Sequence, residues 1–221
     1  VGAALAVARI EGLPRSRLDG VRGLAVAFCA GTMQAHVEGS IALPLQVANA
    51  ARSAIMAVDL VRHGLTGPHD ALEGPFGYFR LIDDGSLAHC TESLGQRWRI
   101  TEVSTKPYPS GRASHAVLAT VAVHRDARMV EARVPPLIAR LVGRPPIDGM
   151  SPAYARLCLP LLVALMQQDG RIDPRRFTPA TFADPDVRAR AARVRIATDD
   201  NPDPNALFPQ RVWLDGVLHE V

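Results

Sequence analysis

The chain has 221 residues, 48% of them apolar, and a formal net charge of +3. This length and apolar content allow a substantial core and room for two structural units. The arginines are scattered without a run of like charges and aromatic residues are few, which argues against nucleic-acid binding.

Neither a membrane span nor a signal peptide is visible in the sequence. Arg22 and Arg52 interrupt the most hydrophobic stretches, so no apolar run reaches the length of about 18 residues that a spanning helix needs. The three cysteines, Cys29, Cys90 and Cys158, lie far apart and form no CxxC or metal-ligand spacing. A sparse, odd set of this kind is typical of a reducing compartment, and we therefore expect a cytoplasmic protein without a bound metal.

Both ends of the chain fall within predicted secondary structure. The chain begins with Val1 and enters an uncapped helical stretch at once, and residues 217–221 have the pattern of a strand. We therefore expect the chain to be a fragment of a longer protein.

Residues 1–98 are predicted to form part of an all-helical bundle with alanine-rich faces. After an opening helix, a second helix is capped by Ser16 or Asp19, and a third begins after Ser40 and ends at Gly64. Small side chains let such helices approach closely. The apolar positions predicted to line the inner face of the third helix are Leu43, Val47, Ile55, Val58 and Val61.

Residues 99–221 are predicted to form a smaller α+β domain because strand and helix patterns alternate irregularly. Strands are expected near Trp98–Val103, over Met129–Val134, over Val194–Ala197 and over Arg211–Leu214. Asp215-Gly216 is a hairpin signal that returns the last strand on itself.

Helices in this second part have recognisable starts and stops. One runs over His115–His124. Another is capped by Ser151, runs to about Asp169, stops at Gly170 and should kink at Pro160. Asp184 has the position of a cap in front of a short helix, so its carboxylate is predicted to be structural.

The segment Lys106–His115, with the sequence KPYPSGRASH, contains the main candidates for a binding or catalytic site. It places two cations, a phenol, hydroxyls and an imidazole at a proline- and glycine-rich turn that opens a helix. A helix N-terminus attracts anions, and Lys106 with Arg112 would make it a cradle for a carboxylate. Arg112 and His115 lie three residues apart and share a helix face. The residues alone leave an alternative equally open, in which this is a capped helix whose cations are solvated.

Three sets of residues carry a family resemblance. They are LQVANAA at 45–51 with HGLTGP at 63–68 and LEGPFG at 72–77, then KPYPSGRASH at 106–115, then YARLCLP at 154–160 with DPDV at 184–187. From about Leu24 to Val221 the chain resembles the middle and C-terminal part of the MmgE/PrpD family, whose members include 2-methylcitrate dehydratase, cis-aconitate decarboxylase and iminodisuccinate epimerase.

The resemblance implies a helical domain, here in part over 1–98, and an α+β lid over 99–221 that is truncated at its C-terminus, with the active site in a cleft between them. It implies cofactor-independent lyase chemistry of the dehydratase type on small di- or tricarboxylic acids, and a homodimer. Epimerase or isomerase chemistry is the alternative within this family.

The same resemblance implies that Lys106 lies near the substrate, and His115 matches a typical family position. We predict Lys106, His115 and Tyr108 as catalytic residues, and Lys106, Arg112 and Ser110 as substrate-binding residues. Dehydrating or epimerising such acids needs fixed cations for the carboxylates and an acid or base near the α-carbon.

Three positions depart from the family pattern. Leu43 stands where a lysine is frequent, Gly111 where the decarboxylase has a histidine, and Leu161 where it has a tyrosine. The family's early helical section, with an aspartate and histidines for the cleft, has no counterpart in the predicted elements. These departures make decarboxylation the least supported activity and leave a non-catalytic dimerising or binding module as an alternative.

Overall fold

The computed structural model describes residues 1–82 and 84–220, and their fold is mixed α and α+β. The helices are α1 (Gly2–Ile10), α2 (Leu18–Ala27), α3 (Gln34–Val37), α4 (Ala42–Arg62), α5 (Tyr78–Leu81), α6 (Leu87–Thr91), α7 (His115–Val123), α8 (Pro136–Val142), α9 (Pro152–Ala155), α10 (Leu159–Asp169), α11 (Pro179–Ala183) and α12 (Pro185–Ala191). The strands are β1 (Val130–Val134), β2 (Val194–Thr198), β3 (Arg211–Leu214) and β4 (Val217–Glu220).

The chain divides into two compact units. Unit 1 comprises Val1–Met33 and Ile41–Ser104, and unit 2 comprises Gln34–Ser40 and Thr105–Val221. The short helix α3 therefore belongs to unit 2, although its sequence neighbours belong to unit 1. No helix within the described ranges has the length and apolar character that crossing a membrane requires.

Alanine dominates the core of unit 1, where α1, α2 and α4 pack together. Small side chains allow these helices to approach closely, as the sequence predicts. The buried core residues are Ala4, Ala8, Val21, Ala25, Ala54, Ala57, Val58 and Val61.

The buried face of α4 differs from the predicted one. Val58 and Val61 are buried, but Val47 is 70% exposed and Ile55 is 52% exposed. The prediction that Val47 and Ile55 face inward is wrong because the closely packed helix positions of unit 1 are filled by alanines, which hydrophobicity alone ranks below valine and isoleucine.

A four-stranded mixed sheet forms the centre of unit 2, in the order β2-β1-β3-β4. β1 pairs in parallel with β2, with Val130 opposite Val194, and antiparallel with β3. β3 and β4 form the predicted hairpin, and Asp215 at its turn has φ 48°. The carboxylate of Asp215 accepts hydrogen bonds from the backbone N–H groups of Arg128 and Met129, which hold the turn to the start of β1.

Helix α10 packs against α7 and α12 and supplies much of the apolar core of unit 2. The predicted single helix from Ser151 with a kink at Pro160 is wrong. The chain leaves α9 after Ala155 and starts α10 afresh at Leu159, so Pro160 occupies the first turn, where its missing N–H costs nothing. The α10 terminus at Gly170 (φ 70°) and the cap at Asp184 agree with the prediction.

The expected strand near Trp98–Val103 is also wrong, because Arg99–Glu102 forms a 3-10 turn. Trp98, Ile100 and Val103 are each at least 70% exposed. A short alternating pattern becomes a strand only where a neighbouring strand can pair with it.

Candidate functional site

The segment Lys106–His115 forms an irregular loop in unit 2 that leads into α7. Arg112–Ser114 makes a 3-10 turn, and the α-helix begins at His115 as predicted. We call residues 106–115 the KPYP loop.

Backbone and core contacts fix the middle of the KPYP loop. The Gly111 N–H donates to the carbonyl oxygen of Arg156 at 3.1 Å. A Cβ atom at Gly111 would lie 2.6 Å from Leu157 Cδ2 and 3.0 Å from Val142 Cγ1, so the loop backbone lies directly against the core. The residue at 111 must be glycine unless these two side chains shift.

A pair of serine hydroxyls holds the turn from inside. Ser114 Oγ donates to the Gly111 carbonyl oxygen at 2.7 Å and lies 2.8 Å from Ser110 Oγ. Both serines are buried. The Ser110 hydroxyl is therefore engaged within the protein, where it maintains the shape of the loop.

The two cations of the KPYP loop are exposed. Lys106 Nζ donates to the Ser110 carbonyl oxygen at 3.4 Å, which draws the ammonium back over the loop. Arg112 lies on the first turn leading into α7. Both positive charges are close enough to His115 to lower the pKa of its imidazole. Both cations therefore influence the same imidazole.

His115 is held against the ring of Tyr108. The two rings meet edge to face, with centroids 5.3 Å apart and an interplanar angle of 90°. Tyr108 is half-buried and packs against the core of unit 2. This contact orients the imidazole with respect to the loop.

The environment of His115 favours its neutral form. Burial lowers its pKa most, followed by the charge of Lys106, and Arg112 acts in the same direction. Hydrogen bonds to the backbone of Ser110 and Tyr108 oppose this shift without reversing it. The buried Nε2 atom has no hydrogen-bond partner among residues 1–82 and 84–220. A neutral imidazole keeps a lone pair on one ring nitrogen, which can accept a proton.

The predicted site residues Lys106, Tyr108, Ser110, Arg112 and His115 thus lie in one loop of one unit. The positions that depart from the family pattern are placed differently. Leu43 is half-buried in α4 of unit 1, and Leu161 is 2% exposed in α10 of unit 2. In the part of the chain that the structure describes, no three His, Cys, Asp or Glu side chains gather as metal ligands would.

Lys106 is also distinguished by the composition of the chain. Lys106 is the single lysine of the sequence, whereas the other 24 of its 25 basic residues are arginines. Because lysine and arginine are not interchangeable where a cation meets a carboxylate, this composition makes position 106 a place to test.

A second polar cluster, in which His36 is buried and Arg144 and Tyr154 are half-buried, could not be found from the sequence. The Arg144 guanidinium donates to the carbonyl oxygen of His36 and lies 4.8 Å from the ring centroid of Tyr154. Burial and the Arg144 charge lower the pKa of His36. Residues 36 and 144 are 108 positions apart, and no local pattern predicts that α3 binds to unit 2.

Comparison with protein families supports the resemblance over both parts of the chain. Residues 1–90 match the MmgE/PrpD N-terminal domain, and residues 108–219 match the MmgE/PrpD C-terminal domain. A comparison with curated proteins found no match. The first match extends the similarity to α1, whereas the sequence motifs carried it only from about Leu24.

Proposed function

The chain belongs to the MmgE/PrpD family, and we propose that it acts as a cofactor-independent, dehydratase-type lyase on small di- or tricarboxylic acids. The observation that carries the proposal is that Lys106, Arg112 and His115 lie on one short loop, where the Lys106 ammonium donates to the Ser110 carbonyl oxygen and the His115 ring meets the Tyr108 ring edge to face. Removal of a proton next to a carboxylate requires cations for the carboxylate and a neutral base, which are the groups that this loop carries.

Substrate carboxylates are proposed to bind at the exposed cations. Arg112 offers a planar fork that accepts a carboxylate in a bidentate manner, and Lys106 offers a compact charge that can follow a second carboxylate. Ser110 contributes through position, since its carbonyl oxygen holds Lys106 Nζ and its hydroxyl is bonded to Ser114. A substrate with at least two carboxylates satisfies both cations at once.

Proton transfer is proposed to begin at His115. The neutral imidazole takes the proton from the α-carbon, and the electrons of the C–H bond form a carbon–carbon double bond as the β-hydroxyl leaves. The hydroxyl departs as water with a proton from Tyr108 or Lys106. The cations stabilise the enolate-like charge that develops on the carboxylate. A positioned acid or base of this kind contributes about 10²–10⁴ in rate.

Epimerisation would use the same first step. Proton removal at His115 followed by return of a proton to the opposite face inverts the carbon without expelling a hydroxyl. Both activities need the same carboxylate cradle. A homodimer and a cytoplasmic location are proposed from the resemblance and from cysteine usage.

A binding module without turnover is the second candidate function. It is favoured by Gly111, where the close approach of Leu157 Cδ2 and Val142 Cγ1 leaves no space for a histidine. A chain without this histidine and without the frequent lysine at the position of Leu43 has cations that bind acids but lacks two side chains that the resemblance associates with the active site.

Proton NMR in D₂O distinguishes these functions with the full chain. Citrate, malate and other hydroxy acids are incubated singly, and the α-proton and alkene signals are followed. Dehydratase activity gives alkene signals, and epimerase activity gives exchange of the α-proton for deuterium without an alkene. Ligand-induced shifts in the protein without either change would replace the lyase proposal by the binding module. Absence of both shifts and turnover would refute both functions.

A further inference from the structure

Unit 2 contains a concave site that is separate from the KPYP loop. Its volume is about 510 Å³, within the range of small-molecule sites. None of the described residues 105–115 lines it. Its walls come from the loop that precedes α9, from α10, α11 and α12, and from β2.

The walls of this cavity are mostly apolar. Several of the wall residues belong to the buried core of unit 2, so the cavity reaches the core. The main apolar wall residues are Met150, Leu161, Phe182, Val187, Val194 and Ile196.

One cation lies at the margin of the cavity with a defined orientation. Arg188 Nε donates to the carbonyl oxygen of Phe182 at 2.9 Å, which fixes the guanidinium plane. Arg188 Nη2 donates to Asp148 Oδ1 at 2.6 Å. Both charged residues line the cavity. A carboxylate therefore already occupies the position where a ligand's carboxylate would bind.

The Asp148 carboxylate is a replaceable partner. Its side chain is 89% exposed, against 52% for Arg188. Exposed ion pairs contribute little to stability, so exchanging Asp148 for another carboxylate costs little. An aliphatic tail that follows the carboxylate would then leave water for the apolar walls, which is favourable by the hydrophobic effect.

We propose that this cavity binds an amphiphilic monocarboxylate, such as a medium-chain fatty acid, with its carboxylate on Arg188 and its tail between α10, α12 and β2. The apolar lining and the Arg188 guanidinium, once Asp148 is displaced, fit one charge and one hydrocarbon chain. A tricarboxylate would place unpaired charges against the apolar walls. The proposal does not depend on the activity assigned to the KPYP loop.

Calorimetric titration of the full chain with octanoate tests the proposal. Saturable binding with Kd below about 1 mM is expected, with octan-1-ol weaker by about tenfold because it lacks the charge. Asp148→Asn removes the competing carboxylate and should strengthen octanoate binding about two- to fivefold. Arg188→Gln should weaken it about tenfold.

Three further variants locate the binding site. Ala192→Phe fills the exposed margin of the cavity and should weaken octanoate binding, since Ala192 lines the cavity. Arg190→Gln is the matched control on the same helix; Arg190 pairs with Asp186 and does not line the cavity. Lys106→Met tests the KPYP loop. Both Arg190→Gln and Lys106→Met should leave octanoate affinity unchanged.

Several results would overturn the proposal. They are a lack of saturable binding, equal affinity for octanoate and octan-1-ol, or loss of octanoate binding in Lys106→Met. Unchanged affinity in Asp148→Asn would also overturn it, and this exposed substitution remains informative if Arg188→Gln fails to fold.

Discussion

Replacing Lys106 with methionine separates a functional cation from a structural one. The substitution keeps most of the aliphatic stem and removes the ammonium. The lost contacts are few, because Lys106 is exposed and its hydrogen bond to the Ser110 carbonyl oxygen is long, at 3.4 Å. We therefore expect the free energy of unfolding to change by less than about 0.5 kcal/mol.

The effect on function should be much larger. If Lys106 binds a carboxylate and stabilises developing charge, its removal lowers kcat/KM by about 10²–10³. This corresponds to about 3–4 kcal/mol of lost transition-state stabilisation. The effects on activity and stability therefore differ by several-fold in free energy, and that difference is the signature of a functional side chain.

The imidazole of His115 supplies an independent measurement. The Lys106 charge lowers the pKa of His115, so Lys106→Met should raise that pKa. The shift can be followed by NMR titration of the His115 ring, even where turnover is absent. Arg193→Met, which removes an exposed cation elsewhere in unit 2, is the matched control and should alter neither the pKa nor the activity.

Urea unfolding and the D₂O assay on these variants decide whether Lys106 is a functional or a structural cation. A stability loss above about 2 kcal/mol in Lys106→Met would identify Lys106 as a structural cation, since such losses come from packing or buried polar groups. Unchanged activity in an active preparation, or an unchanged His115 pKa, would refute the proposed arrangement.

Three further predictions concern stability. Gly111→Ala should lower the free energy of unfolding in urea by about 1–2 kcal/mol, because the new Cβ meets two core side chains. The control Gly2→Ala, with open space around it, should be neutral or stabilising by up to about 1 kcal/mol. Equal effects of the two substitutions would refute the packing argument. The folded-state pKa of His36 lies below its ordinary value of 6.5, so the unfolded chain binds a proton more readily than the folded chain. The free energy of unfolding should therefore fall as pH drops through 6.5. His36→Gln should make this decline shallower, and an unchanged slope would contradict the assignment. Backbone hydrogen bonds lower the pKa of Asp215, so the contribution of Asp215 to stability is present above pH 3.8 and lost as pH falls through the lower folded value. Asp215→Asn should weaken this acid dependence in circular-dichroism melts. An acid dependence equal to that of the parent chain would contradict this prediction.

Elements with local signals were the predictable part of the fold. Helix α7 follows from an uninterrupted apolar run after His115, and the β3–β4 hairpin follows from Asp215-Gly216 between two strand-like segments. The cap at Asp184 needs only its own side chain and the next turn of backbone. Such features are set within a few residues of the chain.

Elements that depend on distant partners were not predictable. The pattern near Trp98–Val103 resembles a strand but finds no pairing edge, and it becomes a 3-10 turn. The binding of α3 to unit 2 depends on Arg144 and on a hydrogen bond from Ser151 Oγ to the Gly39 carbonyl oxygen, both more than 100 positions away in sequence. No local propensity encodes such contacts.

The candidate site was predictable in part. The motif locates Lys106 and His115 within one loop, but only the fold reveals that Gly111 is pressed against Leu157 and that the Ser110 hydroxyl is bonded to Ser114. The orientation of His115 likewise depends on its contact with the Tyr108 ring.

The single lysine offers the most direct test of carboxylate binding at the KPYP loop. Reductive methylation with ¹³C-formaldehyde labels Lys106 and the α-amino group, so the lysine gives one resolvable NMR signal. Titration of the labelled full chain with citrate should shift this signal in a saturable manner, and Arg112→Gln should weaken the response. A Lys106 signal that citrate leaves unmoved at millimolar concentration, in a folded chain, would contradict the account.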